Sequence, residues 1–163
     1  MKILVAEDEL DILDQYRRAL EGNGHKVTTA ADGEQCLRIY LAEMQNNTHF
    51  DAVVLDHRMP KMDGVEVAKH MLDMHPHQRI IFASAYVRET LVDSVKQLKQ
   101  VVELLQKPFD LDTLVDTIED KNIYEKLKKL NVKVKEIRNL NPTHEQVKDL
   151  LEGLVKLHKI KVF

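Results

Sequence analysis

The chain has 163 residues, 44% of them apolar and 31% charged, with five glycines, four prolines, no tryptophan and a net charge of −3. That is enough for one domain with a real core plus a modest appendage, and it excludes a disordered or low-complexity chain. The charge is uneven: residues 1–120 hold 13 Lys+Arg against 22 Asp+Glu, a balance of −9, whereas residues 121–163 hold 11 against 5, a balance of +6. This shift puts the expected domain boundary near residue 120.

The opening run Ile3-Leu4-Val5-Ala6 is too short for a leader's apolar core and stops at Glu7 and Asp8. No stretch reaches the length of a membrane span, and the single Cys36 forms no intrachain disulfide. A cytoplasmic chain away from the membrane is the expectation. Cys36 falls in a helical pattern with Leu37, Tyr40 and Leu41, which suits a small buried hydrophobe better than a reactive thiol.

In chain order, Ile3–Ala6 reads as a short buried strand, and Ile12, Leu13, Tyr16, Ala19 and Leu20 follow at helical spacing, with Gly22 or Gly24 to end that helix. Lys26–Ala30 is a second strand, and Cys36, Leu37, Tyr40, Leu41 and Met44 mark a second helix. Asp51–Leu55 is a third strand, apolar on both faces as a central parallel strand must be. A third helix opens at Gly64 and uses Val65, Ala68, Met71 and Leu72. Arg79–Ala83 is a fourth strand; Leu91, Val92, Val95 and Leu98 mark a fourth helix; Val101–Leu105 is a fifth strand. Leu111, Leu114, Val115 and Ile118 open a fifth helix that Asp110 can cap. Five strands alternating with five helices predict an α/β fold, a parallel sheet covered on both faces by right-handed crossovers.

In such sheets ligands bind outside the carboxyl ends of the strands. Glu7 and Asp8 follow the first strand, Asp56 the third, Ser84 the fourth, and Lys107 comes shortly after the fifth. Three carboxylates in one cleft repel each other unless a cation sits among them, and hard oxygen donors with open positions suit Mg²⁺. A lysine ammonium and a serine hydroxyl then complete a pocket for a tetrahedral dianion. One carboxylate serves as nucleophile, as in aspartyl-phosphate chemistry, and Asp56 on the central strand is the choice. Rival phosphate chemistries fit less well. A haloacid-dehalogenase-type phosphatase wants an acid where Arg58 stands, Glu7-Asp8-Glu9 would repel phosphate in a flavodoxin-type loop, and no Gly-rich Lys-Ser/Thr run exists.

The run Val54-Leu55-Asp56-His57-Arg58-Met59-Pro60-Lys61-Met62-Asp63-Gly64, with Glu7-Asp8 before it and Ala83-Ser84-Ala85 and Lys107-Pro108-Phe109 after it, resembles the receiver domain of two-component response regulators over residues 1–120. The resemblance implies a flavodoxin-like doubly wound five-stranded sheet in the order 2-1-3-4-5. It also implies that Asp56 accepts a phosphoryl group from a sensor histidine kinase or phosphotransfer protein, and that Asp8, Asp56 and the backbone carbonyl of Arg58 bind Mg²⁺ with Glu7 acting through water. Ser84 and Lys107 would contact the phosphoryl group, Lys107-Pro108 would be cis, and the protein would be a switch rather than an enzyme acting on other molecules. One position departs from the pattern: Leu104 stands where the family usually has the aromatic switch residue, and Tyr86 is the alternative ring near the site. A phosphorylation-independent interaction module that kept the acidic pocket and a DNA-binding regulator acting through the basic tail are the competing readings.

Residues 121–163 are expected to form a basic, mainly helical extension for self-association or partner binding. Ile123, Leu127, Leu130, Val134 and Ile137 make an a/d seam, so the fifth helix is expected to run on toward residue 139, against the strand-like alternation of Val132–Ile137 and of Lys159–Phe163. Asn141-Pro142 breaks the chain, Thr143 and Gln146 form a capping box, and Val147, Leu150, Leu151, Leu154 and Val155 make an apolar stripe. Homodimerisation through the fifth helix and this tail is expected. Nucleic-acid binding is disfavoured, because the lysines are spread over helix faces, Arg138 is the lone arginine of the tail, and no complete helix-turn-helix fits.

Overall fold

The computed structural model describes residues 1–85, 96, 98 and 102–160. The predicted fourth helix and Tyr86 lie outside the described residues, apart from Lys96 and Leu98. The chain divides into two compact units, Met1–Val115 and Asp116–Phe163.

The first unit is built on a five-stranded sheet of β1 (Lys2–Ala6), β2 (Lys26–Ala30), β3 (Ala52–Asp56), β4 (Ile80–Ser84) and β5 (Glu103–Gln106), in the order β2-β1-β3-β4-β5. Every pairing is parallel, with Ile3 opposite Val27 and Ala52, Val53 opposite Ile80, and Ile81 opposite Glu103. The crossovers include α1 (Leu10–Gly22), α2 (Gly33–Gln45) and α3 (Gly64–Met74), and α4 (Leu111–Ile118) follows β5. This is the doubly wound order expected from the resemblance.

Side chains alternate across a strand, so one sheet buries two apolar layers. Leu4, Ala6, Val53, Leu55, Ile80 and Phe82 face one way and cluster with Cys36 and Tyr40 of α2 and Val67, Ala68 and Met71 of α3. Ile3, Val5, Val54 and Ile81, also fully buried, face the other way, the side on which α1 buries Leu13, Tyr16 and Leu20. The central strands are therefore apolar throughout, whereas the edge strands β2 and β5 are only partly buried. Each Val, Leu, Ile, Phe or Met side chain taken from water contributes about 1.5–3 kcal/mol before entropy is counted.

Caps set the helix starts. Asp32 Oδ1 accepts from the Gln35 amide at 2.8 Å, Asp63 Oδ1 from the Glu66 amide at 2.9 Å, and Asp110 Oδ1 from the Thr113 amide at 2.8 Å. Strand β5 begins later than the sequence pattern suggests: Val102 precedes it and Val101 lies outside the described residues.

The second unit contains α5 (Lys121–Lys129), α6 (Val134–Asn139) and α7 (His144–Ile160). The expected run-on of the fifth helix to residue 139 is overturned. Asp120 (φ 58°) and Asn131 (φ 61°) adopt left-handed backbone, which Asp and Asn tolerate better than other side chains, and the helix breaks at each. The seam Ile123–Leu127–Leu130–Val134–Ile137 is thus divided between two helices, and the alternating Val132–Ile137 segment is mostly helix rather than strand. The predicted start of α7 holds: the Thr143 amide donates to Gln146 Oε1 at 2.9 Å and the Gln146 amide donates to Thr143 Oγ1 at 3.2 Å. Leu127 and Val147 are buried where α5 and α7 pack, and Arg138 lies over the Tyr124 ring at 4.4 Å. Lys159 and Ile160 belong to α7, and 161–163 lie outside the described residues. No helix of the described residues is long and apolar enough to cross a membrane.

Candidate functional site

Four strand tips supply the site. Glu7 and Asp8 follow β1 directly, Asp56 is the last residue of β3, Ser84 the last of β4, and Lys107 follows β5 directly. Because β1, β3, β4 and β5 are neighbours in the sheet, these residues converge. Carboxylate oxygens of Glu7, Asp8 and Asp56 lie within 4.8 Å of one another. Lys107 Nζ donates to Glu7 Oε2 at 2.6 Å and lies 3.7 Å from Asp56 Oδ1.

The members differ in burial. Glu7 is fully buried, and its other oxygen accepts from the Glu9 amide at 3.2 Å. Asp56 is nearly buried, while Asp8 is exposed at the mouth. Burial first, and then the neighbouring charge of Glu7, push the Asp56 carboxyl up to about 7; Lys107 pulls in the opposite direction, and Asp8 adds to the rise. The nest therefore carries more negative charge than one ammonium offsets.

The loop after β3 is held by close packing. A Cβ on Gly64 would lie 2.1 Å from the carbonyl oxygen of Asp56, and the Gly64 amide donates to the His57 carbonyl at 2.8 Å. A Cβ on Gly33 would lie 1.9 Å from the carbonyl oxygen of Met62, so the same loop is seated on the start of α2. Met59 anchors the loop in the core, and Lys61 turns it with φ 69°. The Arg58 side chain is exposed on this loop. His57 is half-buried, and burial lowers its pKa.

On the β4–β5 side, Ser84 is buried and its carbonyl accepts from the Lys107 amide at 2.9 Å. The Lys107-Pro108 bond is cis, as the resemblance implies. Phe109 then stacks on Tyr16, ring centroids 5.6 Å apart. The Tyr16 ring lies near the nest, and burial followed by the carboxylates of Glu7 and Asp56 raises its phenol well above its ordinary value. In the sequence Tyr16 reads only as one of several core-facing positions of the first helix, because nothing at helical spacing distinguishes a ring under a site from one in the core. Leu104, in the place of the usual aromatic, lies on β5 with 36% of its surface exposed.

The response regulator receiver domain family model matches residues 3–119. The chain belongs to the response regulator receiver family. This receiver is 31% identical over 117 residues to sporulation initiation phosphotransferase F of Bacillus subtilis, a match covering 72% of the chain and 90% of that protein. It is 33% identical over 116 residues to response regulator MprA of a Mycobacterium species, covering 71% of the chain but 47% of that protein, so the receiver spans about half the length of the MprA relatives. Among solved structures, the CheX–CheY–BeF₃–Mg²⁺ complex of Borrelia burgdorferi matches with a TM-score of 0.65 at 26% identity, covering 74% of the receiver and 87% of that chain.

Proposed function

We propose that this protein is a phosphorylation switch in which Asp56 accepts a phosphoryl group from a sensor histidine kinase or a phosphotransfer protein, in a Mg²⁺-dependent reaction. The observation that carries the reading is the nest itself: three carboxylates within 4.8 Å with one ammonium 3.7 Å from Asp56.

The donor set fits a hard divalent cation, since clustered carboxylate oxygens with too little positive charge are what Mg²⁺ binds. Asp8, Asp56 and the Arg58 backbone carbonyl would hold it, with Glu7 acting through water. When bound, Mg²⁺ would neutralise the carboxylates and the oxygens of the transferring group. The remaining work belongs to the chain. An Asp56 carboxylate oxygen attacks the donor phosphorus, forming a P–O bond as the donor's P–N bond breaks, and the leaving imidazole nitrogen retains the electron pair and takes up a proton. Lys107 supplies positive charge next to Asp56, and Ser84 donates a hydrogen bond to a phosphoryl oxygen. Gly64 holds the Asp56 backbone at the mouth of the nest.

Residues 1–120 then act as the phosphoacceptor domain and 121–163 as the extension for self-association or partner binding, in a cytoplasmic protein that catalyses at most its own phosphorylation and dephosphorylation. Support comes from the family match and from the beryllofluoride and Mg²⁺ named for the Borrelia relative's complex. The test is incubation with a small phosphodonor, with Mg²⁺ or with chelator, read by intact mass. One added phosphoryl group that requires Mg²⁺ and is lost in Asp56→Asn is expected; the absence of any adduct contradicts the reading.

A further inference from the structure

Helix α7 begins packed and ends bare. Val147 is buried, Leu151 and Leu154 are half-buried, and Leu150 and Leu157 are 37% and 58% exposed. At 100° per residue, Leu150 and Leu157 lie within about 20° of each other on the helix surface, Leu154 about 40° to one side and Gly153 about 60° to the other. Their face adjoins the buried one without belonging to it.

Among the described residues, no close approach requires a glycine at 153. A Cβ built there meets nothing within 4 Å, and an interior helical glycine costs roughly 1 kcal/mol relative to alanine. A glycine beside exposed leucines is what a second backbone needs in order to approach closely. Asp149 and Lys156 lie farther round on the Gly153 flank, one heptad apart.

We infer that α7 is a self-complementary surface that pairs antiparallel with α7 of a second copy of this chain. A two-fold axis between positions 153 and 154 sets Leu150 against Leu157 of the second copy and brings the two Gly153 backbones together. It also sets Asp149 against Lys156 of the second copy, twice, as an isologous contact requires. Parallel pairing would instead oppose Asp149 to Asp149 and Lys156 to Lys156, so the charge pattern is self-complementary for a second copy and selects the antiparallel direction. The inference deepens the association role proposed for residues 121–163 and does not depend on chemistry at Asp56.

Sedimentation equilibrium of the full chain over a concentration series tests it. The wild type is expected to dimerise, and Leu150→Glu and Leu157→Glu to be monomeric with unchanged far-UV circular dichroism. Asp149→Lys and Lys156→Asp should each weaken the dimer roughly tenfold, and the double exchange D149K/K156D should restore it. Gly153→Ala should raise helix stability yet weaken the dimer, a pair of opposite signs that a purely local role does not give. A wild type monomeric at millimolar concentration, or single exchanges without effect, or a double exchange that does not rescue, overturns the inference. Phosphorylation of the same samples is scored separately: a monomer that takes up phosphoryl groups refutes the pairing alone, and a dimer that does not refutes the switch alone.

Discussion

Lys107 donates to the fully buried Glu7 at 2.6 Å, so the cation beside the phosphoacceptor candidate is also the counter-ion of a buried carboxylate. The two roles share one ammonium, and it cannot be removed from one without disturbing the other.

Lys107→Ala is therefore expected to destabilise the metal-free protein by about 3 kcal/mol, because it leaves a buried charge uncompensated. Adding Glu7→Gln should recover part of that loss, since the double variant no longer buries an unpaired carboxylate. Urea unfolding of the two single variants and the double, in chelator, measures both effects.

Asp56→Asn should act in the opposite direction. The Asp56 carboxyl is pushed up to about 7, so the folded protein holds a proton that the unfolded chain releases near pH 4. A raised acid makes the folded state bind more protons, and its contribution falls as pH rises from about 4 through 7. In chelator the wild type should lose stability between about pH 4 and 7, and Asp56→Asn should lack that component and be more stable at pH 7.5 by about 1–3 kcal/mol. Mg²⁺ should raise the wild-type Tm well above its effect on the variant. Thermal melts at several pH values, with and without Mg²⁺, check the sign.

Gly64→Ala should fail sterically, because its Cβ would stand 2.1 Å from the Asp56 carbonyl oxygen and the backbone must shift. A stability loss of about 2 kcal/mol is expected, with a fall in phosphorylation rate that persists under conditions where the variant is fully folded. Single-turnover phosphorylation at low temperature separates the two effects.

The nest is legible in the sequence because strand ends in a parallel sheet are fixed by short apolar runs, and the runs of β1, β3, β4 and β5 are each bounded by a polar residue of the nest. Asp56 and Ser84 terminate their strands, and Glu7, Asp8 and Lys107 directly follow theirs. Other features are not legible there, Tyr16 beside the nest among them. The pairing of Lys107 with Glu7 depends on side-chain reach across the sheet, which residue spacing does not encode. The breaks at Asp120 and Asn131 depend on single left-handed residues, which periodicity over a longer window averages away. The seam read from 123 to 137 was regular as a pattern, yet two backbone angles divided it.

Cys36 illustrates the opposite case, where burial and pattern agree. Its thiol is fully buried and desolvation pushes it up to about 12, so little thiolate forms at neutral pH. Native protein should react with a thiol reagent far more slowly than protein unfolded in urea, and a timed labelling experiment reads the ratio.

Gln78 closes the amino end of the same core: its Oε1 accepts from the Tyr40 hydroxyl at 2.9 Å while its amide donates to the Phe50 and Arg79 carbonyls. Gln78→Leu should cost about 1–3 kcal/mol by leaving these groups unpaired, and Tyr40→Phe in the Gln78→Leu background should recover part of it.

The central claim is most directly tested by locating the phosphoryl group. After treatment with a phosphodonor and Mg²⁺, borohydride reduction converts a phosphoaspartyl residue to homoserine, and peptide mass mapping identifies where. The switch account predicts homoserine at position 56 alone, absent when Mg²⁺ is chelated; modification at another residue, or none, contradicts it.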